Sequence, residues 1–104
     1  MINKTDAENV AEMIIEYVDH INKTYPGYTG SYNYTGSQYI FNIDGDSIIE
    51  LNHINIACSG KFEVIIDMDL CFFAVVDKNN SIPCELMECG FNGFDMDSFK
   101  ITST

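Results

Sequence analysis

The residues from Thr5 to Gly27, TDAENVAEMIIEYVDHINKTYPG, decide how the fold begins. Thr5 and Glu8 stand at the spacing of a capping box, in which each side chain bonds a backbone N–H that the first helical turn leaves unpaired. Pro26 closes the segment, because the residue before a proline avoids the helical conformation and the glycine after it permits a reversal. The sequence therefore predicts an N-terminal helix from about Thr5 to Thr24.

The predicted helix has an apolar side and an acidic side. We expect the apolar side to face the core, with Ala7, Val10, Ala11, Met13, Ile14, Tyr17, Val18 and Ile21. Four carboxylates share an arc of about 80° on the opposite side and form a carboxylate stripe: Glu8, Glu12, Glu16 and Asp19. Like charges at these spacings destabilise a helix slightly, so the stripe is either a solvated face, the commoner case, or a partner-binding face.

Alternating β-formers and turn residues follow Gly27 and predict an antiparallel β-meander. Its first strands are Tyr28–Tyr34, Tyr39–Ile43 and Ser47–Asn52. The parity of the apolar positions changes around Asn52 and His53, which indicates a bulge or a break. Ser59-Gly60 can turn the chain into the next strand.

The stretch from Phe62 to Asp77 is apolar at every even position up to Val76. As one straight strand it would span roughly 50 Å, longer than a domain of this size allows, so it must bend strongly or turn near Asp67–Asp69. Later elements are a strand at Ile82–Cys89, a turn at Gly90–Gly93 and a closing strand at Ser98–Thr102.

Together these elements predict a single α+β domain over residues 1–104. One N-terminal amphipathic helix packs on an antiparallel meander of about five to six strands. The chain is 46% hydrophobic, enough for one core, and we expect it to fold alone or as a homodimer.

The charge is strongly negative, with 16 Asp and Glu against five basic residues, all lysine, for a net charge of −11. Nucleic acid and anionic membranes would repel such a chain, whereas a basic protein or a divalent cation would be attracted. The start of the sequence has no basic region followed by an apolar run, which predicts no export signal, a cytoplasmic location and reduced cysteines.

Two residue patterns could hold a metal, and both are weak. Three Asp-x-Asp pairs suit a hard cation by spacing but are short matches: Asp44 and Asp46, Asp67 and Asp69, Asp95 and Asp97. Four cysteines lack the paired knuckles of a zinc site and are expected to be buried thiols: Cys58, Cys71, Cys84 and Cys89. We therefore predict no metal and no cofactor.

Catalysis has little support in the sequence. His20 and His53 are the two histidines, and neither accompanies a nucleophile motif or a glycine-rich phosphate loop. A small metal-dependent enzyme remains the minority alternative, and it requires an Asp pair to converge with His53 or the cysteines.

The most distinctive local feature is a cluster of tyrosines at positions 25, 28, 32, 34 and 39. Tyrosine concentrates at recognition surfaces because it offers a large contact area at little entropic cost, although a tyrosine-rich edge hairpin explains the pattern equally well. We predict partner contacts at Glu8, Glu12, Glu16, Asp19, Tyr28, Tyr32, Tyr34, Asp67, Asp69, Asp95 and Asp97.

These observations favour a small acidic binding protein over an enzyme. The first hypothesis is an inhibitor that covers a basic nucleic-acid-binding surface, in the physical manner of the DNA-mimic proteins that phages and mobile elements use against restriction or CRISPR nucleases. The second is an immunity protein that neutralises a cognate toxin. Both would use charge to speed association with a basic target.

Overall fold

The helix α1 runs from Lys4 to Thr24 in the computed structural model, which describes residues 4–51, 53–70, 72–78, 82–83, 89–90 and 98–104. Its predicted position is confirmed. Every residue of the predicted apolar side is buried except Met13, which is 37% exposed. At 100° per residue Met13 lies about 100° from the centre of the buried arc, so the expectation that it faces the core was wrong. In the described residues, no helix is long and apolar enough to cross a lipid bilayer.

Within the described ranges nine strands follow the helix: β1 Thr29–Tyr34, β2 Gln38–Asp44, β3 Ser47–Leu51, β4 Ile54–Cys58, β5 Lys61–Asp67, β6 Phe72–Asp77, β7 Ile82–Pro83, β8 Cys89–Gly90 and β9 Lys100–Ser103. They form two antiparallel sheets. The larger sheet has the order β1-β2-β5-β6, with β7 and β8 both paired to β6, and the smaller sheet has the order β4-β3-β9. The α+β class is confirmed, with more strands than predicted and with two sheets.

The parity change near Asn52 marks a hairpin, since Leu51 pairs with Ile54 and the chain reverses between them. His53, in this turn, has a φ of 65°, a left-handed conformation that few non-glycine residues adopt. The predicted break is therefore a complete change of direction. The closing strand β9 pairs with β3, so it completes the smaller sheet.

The even-position pattern from Phe62 onward does not continue through β6. The chain turns after Asp67, as predicted, and Asp67 pairs directly with Phe72. Directly opposed residues share a face, so the core positions change from even numbers in β5 to odd numbers in β6. Phe73 and Val75 are in the core cluster, while Phe72 and Val76, which belong to the even-numbered apolar set, are partly exposed.

One continuous core joins the helix to both sheets. The larger sheet contributes Phe41, Phe62 and Val64, and the smaller contributes Ile49 and Leu51. A polar contact reinforces the junction: the buried Tyr17 hydroxyl lies 2.6 Å from Ser47 Oγ, and Ser47 Oγ donates to Gly45 O at 2.9 Å. The helix is thereby fixed relative to the turn that links the two sheets.

Candidate partner-binding surface

The β1–β2 hairpin presents a row of aromatic rings on the face of the larger sheet that carries α1. Tyr32 pairs with Phe41 and Tyr34 with Tyr39 across the hairpin, so all four side chains share that face. The ring centroids of Tyr34 and Tyr39 are 4.5 Å apart, and those of Tyr32 and Phe41 are 5.7 Å apart. Such cross-strand aromatic pairs stabilise a hairpin and hold its rings in fixed positions.

Two of these rings are open to solvent. Tyr32 is 45% exposed and Tyr34 is 49% exposed, whereas Phe41 beneath them is fully buried. The Tyr34 hydroxyl donates to Gly36 O at 2.8 Å, which anchors the far end of the ring while its face stays open. The hairpin therefore displays pre-ordered aromatic area that a partner could cover with little loss of side-chain entropy.

Carboxylates of the helix lie beside this aromatic row. The pKa of Tyr39 is raised above its usual value, first by burial, then by the neighbouring Tyr34 and Tyr32, and then by the negative charges of Glu12 and Glu8. Helix geometry agrees with this, since Asn22 bonds Gly30 of β1. Glu8 and Glu12 lie within about 80° of Asn22 around the helix, on the side that faces the hairpin. We call these five residues the tyrosine–glutamate patch: Glu8, Glu12, Tyr32, Tyr34 and Tyr39.

The structure divides the carboxylate stripe. All four of its side chains are exposed. Glu16 lines a different groove, between α1 and β9, together with Met13, His20 and Lys100. The stripe is therefore not one surface. Its N-terminal half, Glu8 and Glu12, is the part that lies beside the tyrosines.

Tyr28, also predicted to contact a partner, has a role inside the fold. It is half-buried, and its hydroxyl donates to Asp46 O at 2.7 Å. Its ring fills the space beside Gly45, where any Cβ would overlap it. Tyr28 therefore supports the turn between the two sheets.

Asp67 has a structural role inside the fold, whereas Asp69 is open to solvent. Asp67 is 7% exposed and accepts three hydrogen bonds, from Asp69 N at 3.0 Å, Leu70 N at 2.9 Å and Gln38 Nε2 at 2.8 Å. These bonds, that of Gln38 above all, lower the pKa of its carboxyl group. Asp69 is exposed in the turn after β5. Asp95 and Asp97 lie outside the described residues.

The β5–β6 turn sits next to the tip of the β1–β2 hairpin. Met68 N donates to Ser37 O at 2.8 Å, and Gln38 of the hairpin bonds Asp67. Leu70, in the same turn, is 78% exposed. One end of the larger sheet therefore combines exposed aromatic, aliphatic and acidic side chains.

The remaining predicted groups are dispersed or structural. Asp46 Oδ1 accepts from Gly60 N at 2.9 Å, which is turn chemistry, and the buried Cys58 thiol donates to Ile56 O at 3.9 Å. His20 and His53 are both exposed, and the ring of His20 lies edge-on to Tyr25. Within the part of the chain that the structure describes, no three His, Cys, Asp or Glu side chains are grouped so that they could hold a metal ion.

The other face of the larger sheet carries charges of both signs. A concavity of about 380 Å³ there is lined by residues that include Thr29, Asn42, Lys61 and Lys78. Lys78 pairs with Glu63 at 3.5 Å. Asp44 lines the same concavity, so the basic and acidic groups of this face are balanced and it is not a cationic surface.

Two members of this surface were missing from the predicted contacts. Tyr39 belongs to the patch, and Asn22 covers part of the β1 edge, donating to Gly30 O at 2.9 Å and accepting from Gly30 N at 3.0 Å. Strand alternation could have placed Tyr39 opposite Tyr34 once the hairpin loop was located. Comparisons of the chain with known protein families, curated proteins and solved structures found no match.

Proposed function

We propose that this chain is a non-enzymatic inhibitor that binds a basic, nucleic-acid-binding surface of a target protein in the cytoplasm. The observation that supports the proposal is the tyrosine–glutamate patch. Exposed, pre-ordered aromatic rings supply contact area, and the adjacent carboxylates supply charge.

Arginine is the side chain that this combination fits best. Its guanidinium group stacks on a tyrosine face and donates to a carboxylate at the same time. Tyr32 and Tyr34 provide the faces, and Glu8 and Glu12 provide carboxylates beside them. Surfaces that bind nucleic acid are rich in arginine and lysine, so a protein carrying a net charge of −11 can compete with phosphates for them.

An immunity protein would use the same surface against a basic toxin. The two functions differ in the target and share the contact chemistry. The identity of the captured protein therefore decides between them, since a toxin encoded beside the chain would support immunity.

The test is affinity capture from cells that carry the gene, with the tagged chain and two variants. The wild type should capture a protein with a basic nucleic-acid-binding surface, and added duplex DNA should displace that protein. The double variant Tyr32→Ala/Tyr34→Ala should weaken binding of the purified target by about tenfold or more, as expected of central aromatic contacts.

Tyr25→Ala is the matched control. Tyr25 is 40% exposed, similar to the patch tyrosines, but its ring contacts His20 and Tyr28 instead of the patch. It should bind the target like the wild type. Undiminished binding by the double variant, or a target that duplex DNA does not displace, would contradict the proposal.

A further inference from the structure

The strand β1 ends the larger sheet, and in the described ranges no strand pairs with its outer edge. Gly30 shows which backbone groups face outward, since its N–H and C=O both bond the side chain of Asn22 and not β2. Antiparallel pairing alternates, so the N–H and C=O groups of Tyr32 and Tyr34 also face outward. Asn22 bonds the outward groups of Gly30. The N–H and C=O groups of Tyr32 and Tyr34, four in all, face outward with no neighbouring strand in the described ranges.

An open edge of this kind is usually protected. Natural edge strands carry lysines, prolines, bulges or inward-pointing charges that prevent pairing with another chain. The sequence of β1, TGSYNY, has no charged residue and no proline, and its register with β2 runs without a bulge from Thr29 to Tyr34. The edge is therefore suited to accept an additional strand.

The charges beside this edge indicate what kind of strand it would accept. Glu8, Glu12 and Asp19 lie within about 80° of Asn22 around the helix, counted at 100° per residue. Since Asn22 reaches the β1 edge, these carboxylates lie on the helix side that overlooks that edge. A second copy of this chain would bring another net charge of −11 to the same place, whereas a basic segment would be attracted.

From these contacts we infer that β1 binds an extended basic segment of the target as an additional strand, through the backbone of Tyr32 and Tyr34. This inference rests on the proposed function and specifies the form of the partner. Main-chain hydrogen bonds supply part of the affinity, and alternate side chains of the added strand face the helix. Arginines at those positions reach Glu8, Glu12 and the exposed tyrosine rings.

A synthetic peptide of about eight alternating arginine and threonine residues is the probe, since this length matches a strand and places every arginine on one side. The readout is amide hydrogen exchange of the whole chain, measured by NMR. At about 1 mM peptide, the amides of Tyr32 and Tyr34 should exchange about tenfold more slowly or slower still. The amides of Ser31 and Asn33, which already face β2, should change little and serve as the internal reference.

Backbone methylation of the peptide separates strand addition from simple charge attraction. Two peptides are methylated on alternate amides, one at the arginines and one at the threonines. One of them should lose about tenfold or more in affinity because its donors toward β1 are gone, and the other should bind like the parent peptide.

Three results would overturn the inference. Absence of protection at Tyr32 and Tyr34 would exclude the edge, and equal binding of all three peptides would exclude main-chain pairing. Protection that rises with protein concentration without peptide would show a second copy on the edge. If the methylated peptides bind equally while Tyr32→Ala/Tyr34→Ala still loses the target, the proposed function stands and the added strand is wrong.

Discussion

Individual tyrosines in this chain perform two different tasks, and their hydroxyl partners distinguish them. Tyr17 and Tyr28 are buried or half-buried, and their hydroxyls bond groups in or next to the turn between the sheets. Tyr32 and Tyr34 present their rings to solvent. The sequence shows six tyrosines of the same chemistry, and only the tertiary contacts of each ring and hydroxyl show which of them support the fold.

Tyr17→Phe should destabilise the fold by about 1–2 kcal/mol, because it removes a buried hydrogen bond to Ser47 and leaves that hydroxyl with one partner fewer. Urea unfolding followed by circular dichroism measures the difference. Tyr25→Phe is the control, since the Tyr25 hydroxyl bonds nothing among the described residues, and its effect should be near zero. Equal stabilities of the two variants would show that the Tyr17 contact contributes nothing.

Asp67→Ala should cost about 1–2 kcal/mol at neutral pH, since it removes the acceptor for two backbone N–H groups and for Gln38. The pKa of Asp67 is lowered from its ordinary value of 3.8, so its stabilising effect is complete above that value. The effect disappears as the pH falls through the lower folded pKa. The gap in unfolding free energy between wild type and variant should therefore close in acid.

Asp69→Ala supplies the comparison for that measurement. Asp69 is exposed, and its carboxylate accepts no hydrogen bond in the described part of the chain. Its replacement should leave the unfolding free energy within about 0.5 kcal/mol of the wild type at neutral pH. A gap for Asp67→Ala that widens as the pH falls below the ordinary pKa of 3.8 would show that the lost bonds do not depend on its charge.

At the scale of elements, the helix was predictable and the pairing of strands was only partly so. Helical periodicity is local, and seven of eight expected core residues of α1 are buried, the exception being Met13 at the margin of the arc. Strand positions were also recognisable from alternation and turn residues. Register depends on how many residues each turn uses, and the pattern from Phe62 to Val76 could not show that the β5–β6 turn reverses the parity.

The division of the strands into two sheets could not be predicted from the sequence either. Asp44-Gly45-Asp46 predicts a turn, but a turn signal does not say whether the next strand pairs with the previous one. Here β3 leaves the first sheet and pairs with β4 and β9. The contacts that hold this junction come from Tyr17, Tyr28 and Gly60, all distant in sequence.

The β2–β3 turn should tolerate no side chain at Gly45. Its φ is +149°, and a Cβ there would overlap the Tyr28 ring, so Gly45→Ala should cost about 2–4 kcal/mol. Gly36→Ala is a matched control in the hairpin loop, since its φ of +99° is strained for alanine but the space around it is open. It should cost about 1 kcal/mol. Thermal unfolding compares the two, and equal losses would mean that the overlap with Tyr28 is relieved at no cost.

For the whole molecule, the patch arises from the direction in which the helix and β1 run. The end of α1 lies against the start of β1, where a Cβ on Gly30 would be 3.1 Å from Val18 Cγ1. The chain then runs back along the helix, which brings Tyr34 and Tyr39 toward Glu8 and Glu12. The sequence predicted the carboxylate stripe and the tyrosines as separate candidate surfaces. That part of the stripe lies beside the tyrosines depends on tertiary packing, which no local sequence pattern predicts.

The net charge of −11 should govern how fast the chain meets its target. Electrostatic steering raises association rates by about 10–1,000-fold and is screened by salt, whereas dissociation depends mainly on short-range contacts. Raising the salt concentration should therefore lower the association rate of the target steeply and change the dissociation rate little. Surface plasmon resonance with purified target measures both rates. A salt-independent association rate would mean that the acidic charge serves solubility alone.

Two single-charge variants test whether the carboxylates also act locally at the patch. Glu12→Gln and Glu16→Gln change the net charge equally, on the same helix and one turn apart, so long-range steering should fall by the same small amount in both. Glu12 lies by the Tyr39 ring, whereas Glu16 lines the groove beside β9. Glu12→Gln should therefore also raise the dissociation rate several-fold, and Glu16→Gln should not. Equal dissociation rates would limit the carboxylates to attraction at a distance and leave the tyrosines as the contact surface.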